Sequence, residues 1–120
     1  MGTDRIDRKV EYMSDESKIL SMIGLATKAG KTVTGTQACS IAIKRKRTKL
    51  VIIASDASEN TRSPAINICN ANGADYVLFS TRDELGHYTG KSERAILAIT
   101  DEGFSSRIGD MINSFNKNNK

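Results

Sequence analysis

The sequence has no tryptophan, one proline, one histidine and two cysteines, and only 5% of its 120 residues are aromatic. Cys39, Cys69 and His87 are far apart and form no C-x-x-C pair or histidine cluster, which excludes a zinc site of ordinary spacing. We expect both thiols to be reduced and to pack as small apolar groups. The core must be mainly aliphatic, and base stacking on aromatic side chains is a poor explanation for any nucleic-acid binding.

Long apolar segments are also missing from the sequence. No stretch approaches the roughly 20 apolar residues that a membrane-spanning helix needs, and the polar segment at 1–13 does not resemble a signal peptide. We therefore expect a cytoplasmic protein with no membrane partner. The sequence predicts a disordered N-terminal arm at 1–14, one domain at 15–115 and a frayed tail at 116–120.

The chain does carry an excess of positive charge, with a formal net charge of +4. Such an excess favours polyanionic partners, and the position of the cations matters more than their number. Five cations lie within six residues, at Lys44, Arg45, Lys46, Arg47 and Lys49. Taken alone, this cluster is explained about equally well by a solvated helix end and by an anionic partner.

Four further cations favour the anionic partner. Lys28 and Lys31 flank the loop ahead of the same predicted helix, so that charge accumulates around one element, and Lys91 and Arg94 form a second basic loop. With few aromatic residues, this pattern favours structured RNA, contacted through its shape and backbone, over loose single strands.

Hydrophobic periodicity predicts helices that alternate with strands. We predict helices over 15–29, 35–47, 61–73, 82–88 and 102–115, and strands over 32–34, 50–54, 76–79 and 95–100. The apolar run at 50–54 is typical of a strand that is buried on both faces. The fold class is therefore α/β, with helices on both faces of a small sheet.

Three details of these helices can be tested directly. Thr36 is predicted to cap the second helix, which opens at Gly35, and Pro64 is predicted to lie early in the third helix. Thr81 is predicted to cap the fourth. The apolar positions predicted for the second helix are Ala38, Cys39, Ile41, Ala42 and Ile43.

The candidates for catalysis are weak. The segment GLATKAGKT is similar to a phosphate-binding P-loop, but five residues rather than four separate Gly24 from Gly30, and the preceding residues have helical periodicity. His87 and Ser92 have no partner group that the sequence can supply. We expect no enzyme activity, no cofactor and no small-molecule substrate.

Three segments resemble a known family: TKAGKTVTGT at 27–36, KLVIIASDASENT at 49–61 and DELGHYTGKSERAILAITDEGF at 83–104. Their order and spacing are similar to those of the kink-turn-binding ribosomal protein superfamily (large-subunit protein seven-Ae and relatives), and especially of its small bacterial YlxQ-type group. The resemblance spans about residues 17–115. It implies a three-layer α/β/α sandwich around a small mixed sheet, and binding of structured, kink-turn-like RNA in the ribosome or in translation.

In this family the start of the second helix enters a sharply bent RNA, where a Gly-x-Asn-Glu motif reads sheared guanine–adenine pairs. By position, Gly35 and Thr36 match the opening of that motif, Gln37 replaces asparagine, Ala38 replaces glutamate, and Ile41 replaces a lysine. A later loop, which packs on an extruded base, corresponds to residues 91–94. The resemblance and the charge pattern together predict these RNA-binding residues: Lys28, Lys31, Gly35, Thr36, Gln37, Lys44, Arg45, Lys91, Ser92, Glu93 and Arg94.

The replacements predict altered selectivity. Gln37 keeps an amide that can meet a base edge, whereas Ala38 cannot accept a guanine N–H, and the loss of such a base contact costs about 1–3 kcal/mol of discrimination. We expect a monomer that binds RNA, for example ribosomal RNA, with weakened or changed preference for the standard kink-turn. The alternatives are a protein-interaction module on the same fold that has lost RNA recognition, and an RNA-gripping partner of a separate modification enzyme.

Overall fold

The computed structural model of the chain describes residues 14–118, so residues 1–13 of the predicted arm and the last two residues of the predicted tail lie outside the described range. Helices and strands alternate along it. In chain order they are α1 (Asp15–Lys28), β1 (Thr32–Thr34), α2 (Thr36–Lys44), β2 (Leu50–Ile53), α3 (Glu59–Asn72), β3 (Tyr76–Leu78), α4 (Arg82–Tyr88), β4 (Ile96–Ile99) and α5 (Glu102–Asn118).

The strands form one mixed sheet in the order β1-β4-β2-β3. β4 is antiparallel to both β1 and β2, whereas β2 and β3 are parallel. Every residue of β4 is buried, as are Val51, Ile52 and Ile53 of β2. Because helices cover both faces of the sheet, every side chain of these strands lies against apolar neighbours, which explains the unbroken apolar run in the sequence.

The helices form two groups that cover the sheet. α1 packs against α4 and α5, while α2 packs against α3, and members of both groups contact the strands. The result is the three-layer α/β/α sandwich that the resemblance implies. Its core is aliphatic, with Phe79 as its largest buried side chain, and Phe115 meets that ring edge-on at 5.5 Å.

Most predicted elements are present, and several are capped as expected. The side chain of Thr81 accepts a hydrogen bond from the Glu84 N–H at 3.2 Å at the start of α4, and Gly73 ends α3 in the left-handed conformation. Gly24 lies inside α1, which confirms that the residues before the P-loop-like segment are helical. Ser14, the last residue of the predicted arm, accepts a hydrogen bond from the Ser17 N–H at 3.1 Å through its side chain and so caps α1.

Four predicted details are wrong. α2 begins at Thr36 with Gly35 as its N-cap residue, so Thr36 is not the cap. α3 begins at Glu59, which places Pro64 in the second turn rather than early in the helix, and α5 continues through three residues of the predicted tail to Asn118. Only part of the predicted apolar face of α2 is buried, because the helix turns its other side outward and leaves Ala38 and Ile41 exposed.

Candidate nucleic-acid interface

Three helices begin at one edge of the sheet. Because β1, β2 and β3 all run in the same direction, their carboxyl ends meet at this edge, together with the amino end of β4. α2, α3 and α4 begin directly beyond these strand ends. Helix starts carry unpaired N–H groups and partial positive charge, and ligands of open α/β sheets bind at such an edge.

The start of α2 differs from the other described helix starts. Gly35 has φ 97° and ψ 153°, and its N–H donates to the Ile96 carbonyl at 3.0 Å. No side chain caps this helix and no acidic residue lies in its first turn, whereas each of the other described helices has an acidic residue there. The first intrahelical bond runs from the Cys39 N–H to the Gly35 carbonyl at 3.0 Å. The N–H groups of Thr36, Gln37 and Ala38 therefore have no acceptor within the helix.

An open cleft of about 380 Å³ lies beside this helix start. It is bounded by β1 and α2 on one side and by the segment before β4 on the other, and hydroxyl groups at the start of α3 and Arg82 of α4 complete it. The lining residues are Thr34, Gly35, Thr36, Ser58, Thr61, Arg82, Glu93, Arg94 and Ala95. The cleft therefore combines unpaired helix N–H groups, hydroxyls and two guanidinium groups, which are all donors that an anion accepts.

Arg82 is held between two carboxylates. Its backbone N–H donates to Asp56 Oδ1 at 2.9 Å, and its Nε lies 3.7 Å from Asp56 Oδ2. One terminal nitrogen lies 3.7 Å from Glu93 Oε1. Both side-chain distances exceed a hydrogen bond, and the buried Nε has no hydrogen-bond partner.

The loop that carries Glu93 and Arg94 is fixed at both ends. The Lys91 N–H donates to the Gly86 carbonyl at 2.8 Å, and the Arg94 N–H donates to the Arg82 carbonyl at 3.0 Å. The Arg94 guanidinium folds back on its own loop, where it donates to Ser92 Oγ and to the Glu93 carbonyl, each at 3.0 Å.

Gly86 allows this loop to lie against α4. A Cβ at this position would overlap the carbonyl oxygen of Ser92 and lie 2.8 Å from Cα of Glu93. The buried Leu85 beside it anchors the same helix in the core. Packing thus explains why the Leu-Gly pair precedes the basic loop in the sequence.

The structure brings together part of the predicted site. Gly35, Thr36, Glu93 and Arg94 line the cleft, and Gln37 is exposed in the first turn of α2 beside it. Ser92 and Lys91 lie in the adjoining loop. All these residues belong to the cleft or to its rim.

The remaining predicted residues lie elsewhere. The Lys31 carbonyl accepts from the Thr100 N–H, so Lys31 and Gly35 flank opposite ends of β1, and Lys28 precedes Lys31 by one turn. Lys44 is the last residue of α2 and Arg45 its C-cap residue. At 1.5 Å for each residue, they lie roughly 13 Å from the helix start. The charge that the sequence analysis expects around the second helix therefore does not surround its start, because β1 and α2 carry these three lysines and Arg45 to the other edge of the sheet.

A second groove runs along α2 from its first turn to that other edge. Its floor is apolar, with Val33, Ala38, Ile41 and Ala42, and its rim consists of Arg45, Lys46, Arg47, Lys49 and Thr100. Lys46 has φ 58°, and its Nζ donates to the Asn72 carbonyl at 2.9 Å at the end of α3. Part of the basic cluster therefore has a structural role.

Other kinds of site find no support in the described part of the chain. Residues 14–118 contain no group of three or more potential metal ligands, and none of their helices combines the length and hydropathy needed to cross a bilayer. Cys39 and Cys69 are free and buried, as predicted. Burial and the nearby Cys69 raise the pKa of Cys39 to about 12, and burial raises the pKa of Cys69.

Five lining residues, Thr34, Ser58, Thr61, Arg82 and Ala95, were not among the predicted site residues. Neither were Asp56, which contacts Arg82, and Gly86, against which the loop with Glu93 and Arg94 packs; Asp56, Arg82 and Gly86 do most to position the charged groups of the cleft. The sequence did contain a signal for each of these three, since Asp56 ends the Ala-x-Asp segment after β2, Arg82 follows the predicted cap Thr81, and Gly86 belongs to the Leu-Gly pair. What the sequence does not give is the pairing of β2 with β3, which brings the first two together.

Comparison with known proteins decides the family. The model of the ribosomal protein L7Ae/L30e/S12e/Gadd45 family matches residues 17–108. The chain belongs to this family. The Ala-x-Asp segment that follows β2 and the Leu85-Gly86 pair of α4 both lie within the matched range.

Relatives of this family member include bacterial and archaeal proteins. The chain is 36% identical over 87 residues to "RNA-binding protein YlxQ" of Bacillus subtilis (strain 168), which covers 72% of this chain and 87% of that protein. It is 33% identical over 95 residues to "Large ribosomal subunit protein eL8" of Cenarchaeum symbiosum (strain A), covering 78% and 75% of the two chains.

Solved structures of similar fold extend the comparison. A protein of unknown function from Bacillus halodurans C superposes with a TM-score of 0.77 at 32% identity, covering 82% of this chain and 99% of that one. The Giardia lamblia 15.5kD RNA binding protein superposes with a TM-score of 0.70 at 18% identity, covering 85% and 88%. At that identity the second likeness supports the fold alone.

Proposed function

We propose that the protein binds structured, kink-turn-like RNA through the start of α2 and the loop at 91–94. The observation that carries the proposal is the uncapped start of α2, which lines one cleft together with two arginines. A phosphate there would accept from the helix N–H groups and lie at the positive end of the helix dipole. Family membership and the RNA-binding name of the bacterial relative support RNA as the source of the phosphate.

Each cleft residue has a distinct role in this proposal. Gly35 supplies the backbone turn that leaves the N–H groups uncapped, and the exposed side chain of Gln37 meets a base edge through its amide. Arg94 leaves its loop contacts to meet a phosphate, and Thr36 adds a hydroxyl. The protein acts as a non-catalytic monomer in the cytoplasm, and its RNA is ribosomal.

The four distal cations have a secondary role in this proposal. Lys28, Lys31, Lys44 and Arg45 lie near the other edge of the sheet and would contact an RNA stem that continues past the cleft. Such contacts are electrostatic and insensitive to sequence. The alternative module without RNA recognition is not favoured, since the bacterial relatives are themselves named RNA-binding proteins.

A titration of the protein against two RNA duplexes tests the proposal. One duplex contains a standard kink-turn, and the other has the same stems without the bulge and the sheared pairs. We expect tighter binding of the kink-turn, and about a ten-fold loss with Gln37→Ala, because an amide contact to a base edge carries about 1–3 kcal/mol of discrimination.

Two variants complete the test. Gln37→Asn should retain most of the affinity, whereas Asn113→Ala, on α5 at a distance from the cleft, should bind like the unmodified chain. Equal affinity for both duplexes would remove the kink-turn part of the proposal, and no binding to either at low salt would remove RNA binding itself.

A further inference from the structure

We infer that Glu93 is a resident anion of the cleft, which neutralises Arg82 in the free protein and is displaced from it by an RNA phosphate. The inference deepens the proposed function and rests on it. It adds Arg82 to the RNA-binding residues, and it gives Glu93 the role of competing with RNA rather than contacting it.

The distances show that two carboxylates attract the Arg82 guanidinium but leave its N–H donors without hydrogen bonds to them. Glu93 Oε1 lies 3.7 Å from a terminal nitrogen, and Asp56 Oδ2 lies 3.7 Å from Nε, which is buried and has no hydrogen-bond partner. An arginine carries five N–H donors, and a phosphate accepts two of them at once in a parallel pair. The terminal N–H groups of Arg82, whose side chain is 41% exposed, are therefore donors that a phosphate would satisfy better than Glu93 does.

The two carboxylates are not equivalent. Asp56 is also tied to the backbone of α4, because its Oδ1 accepts the Arg82 N–H at 2.9 Å. Glu93 has only the side-chain contact and is 57% exposed, so its ion pair with Arg82 is of the weak surface kind. Glu93 is the partner that leaves, while Asp56 keeps the arginine in place.

Release of Glu93 requires no rearrangement of the loop. The Arg94 N–H remains bonded to the Arg82 carbonyl, and the Lys91 N–H to the Gly86 carbonyl, so rotation of the Glu93 side chain is sufficient. The exchange replaces one carboxylate by one phosphate at constant charge. Glu93 thereby weakens the attraction of anions that do not reach Arg82, and it favours RNA whose phosphate is placed to displace it.

A double-mutant cycle on Arg82 and Glu93 tests the inference, with the kink-turn duplex as probe and its dissociation constant at low salt as readout. We expect Glu93→Gln to tighten binding by about two- to five-fold, the range of a surface ion pair, and Arg82→Gln to weaken it by about ten-fold or more. In the Arg82→Gln background, Glu93→Gln should change affinity by less than about 1.5-fold, because the competition no longer exists.

Two controls separate this mechanism from general charge effects. Glu84→Gln removes a negative charge from the same helix and should alter affinity by less than about 1.5-fold, since the ion pairs of Arg82 within residues 14–118 are with Asp56 and Glu93. Asp56→Ala also removes a carboxylate from Arg82, but it should weaken binding because the arginine loses its anchor. Thermal melting of each variant confirms that it is folded.

The outcomes distinguish the inference from the proposed function. If the unmodified chain binds the duplex but the effect of Glu93→Gln is the same with and without Arg82, or if Glu93→Gln weakens binding, the inference is overturned and the proposed function stands. If no variant binds either duplex, the proposed function fails. A single neutral methylphosphonate that abolishes the Arg82→Gln effect would identify the phosphate that makes the contact.

Discussion

Gly35 is the residue on which the geometry of the cleft depends. Its φ of 97° and ψ of 153° lie in a region that is almost restricted to glycine, although within residues 14–118 no heavy atom beyond its own chain neighbours lies within 4 Å of the place where a Cβ would stand. The requirement is therefore one of backbone conformation and not of space. A larger residue would change how the chain enters α2 and with it the direction of the uncapped N–H groups.

Also at the residue scale, the buried thiol of Cys39 makes the free energy of unfolding depend on pH. Its thiol donates to the Val33 carbonyl at 3.4 Å, and burial raises its pKa from near 9 to about 12. Above pH 9 the unfolded chain releases this proton while the folded chain keeps it, so stability falls as pH rises toward the folded pKa. The slope is at most about 1.4 kcal/mol for each pH unit.

Urea unfolding at several pH values between 8 and 11 measures this slope. The Cys39→Ala variant is expected to show a smaller decline than the unmodified chain, whatever its stability at neutral pH, because the titrating group is absent. A Gly103→Ala variant, changed at an exposed site, should keep the full slope. Identical slopes with and without the Cys39 thiol would contradict the prediction.

At the scale of elements, α4 and the loop after it act as one unit. The helix is capped by Thr81, buried through Leu85 and packed against the loop at Gly86. We predict that Gly86→Ala lowers the free energy of unfolding by about 1–3 kcal/mol, the usual cost of overpacking, and weakens RNA binding by shifting Glu93 and Arg94. Urea unfolding and titration with the kink-turn duplex measure the two effects.

The matched control for this prediction is Gly109→Ala on α5. A Cβ there would make an ordinary contact of 3.7 Å with Leu50, and alanine is favoured over glycine in a helix by about 1 kcal/mol. This variant should be as stable as the unmodified chain or more stable, with unchanged RNA binding. A Gly86→Ala chain that loses stability but binds RNA normally would show that the loop position is not critical.

The elements also show where sequence reasoning succeeds and where it stops. Local chemistry placed α4 correctly, because Thr81 is a cap and Gly90 an end signal, and the run at 50–54 identified a central strand. The exposed side of α2 was not predictable from the sequence. Ala38 and Ile41 are apolar like the buried Cys39, and only their position around the helix axis leaves them exposed. That orientation is set by packing against α3 and β1, which no local pattern encodes.

For the whole molecule, the distribution of charge depends on sheet topology. The sequence places Lys28 and Lys31 just ahead of the second helix and Arg45 at its end, so charge was expected to accumulate around this one element. In the fold, β1 and α2 separate them from the cleft by the length of each element, and arginines from other segments, Arg82 and Arg94, take their place. Lys31 and Gly35 are thus close in sequence but lie at opposite ends of β1, and so at opposite edges of the sheet.

This separation predicts that the contribution of the distal cations depends on the length of the RNA. A triple variant with Lys28→Ala, Lys31→Ala and Arg45→Ala should bind a kink-turn with very short stems like the unmodified chain, because Arg45 lies roughly 13 Å from the start of α2 and the two lysines lie beyond the far end of β1. With longer stems it should bind more weakly, and the plot of log affinity against log salt should be flatter by up to about three units, one for each phosphate that the variant no longer neutralises.

Fluorescence anisotropy titrations over a range of salt concentrations, with a series of stem lengths, measure both effects. Arg107→Ala, which removes an exposed cation of α5 outside the cleft, serves as the control for net charge. A triple variant that weakens binding of the shortest RNA as strongly as of the longest would place these cations in the primary site after all. Affinity unchanged at every length would instead leave the lysines and Arg45 outside the RNA interface, with the cleft as the whole of it.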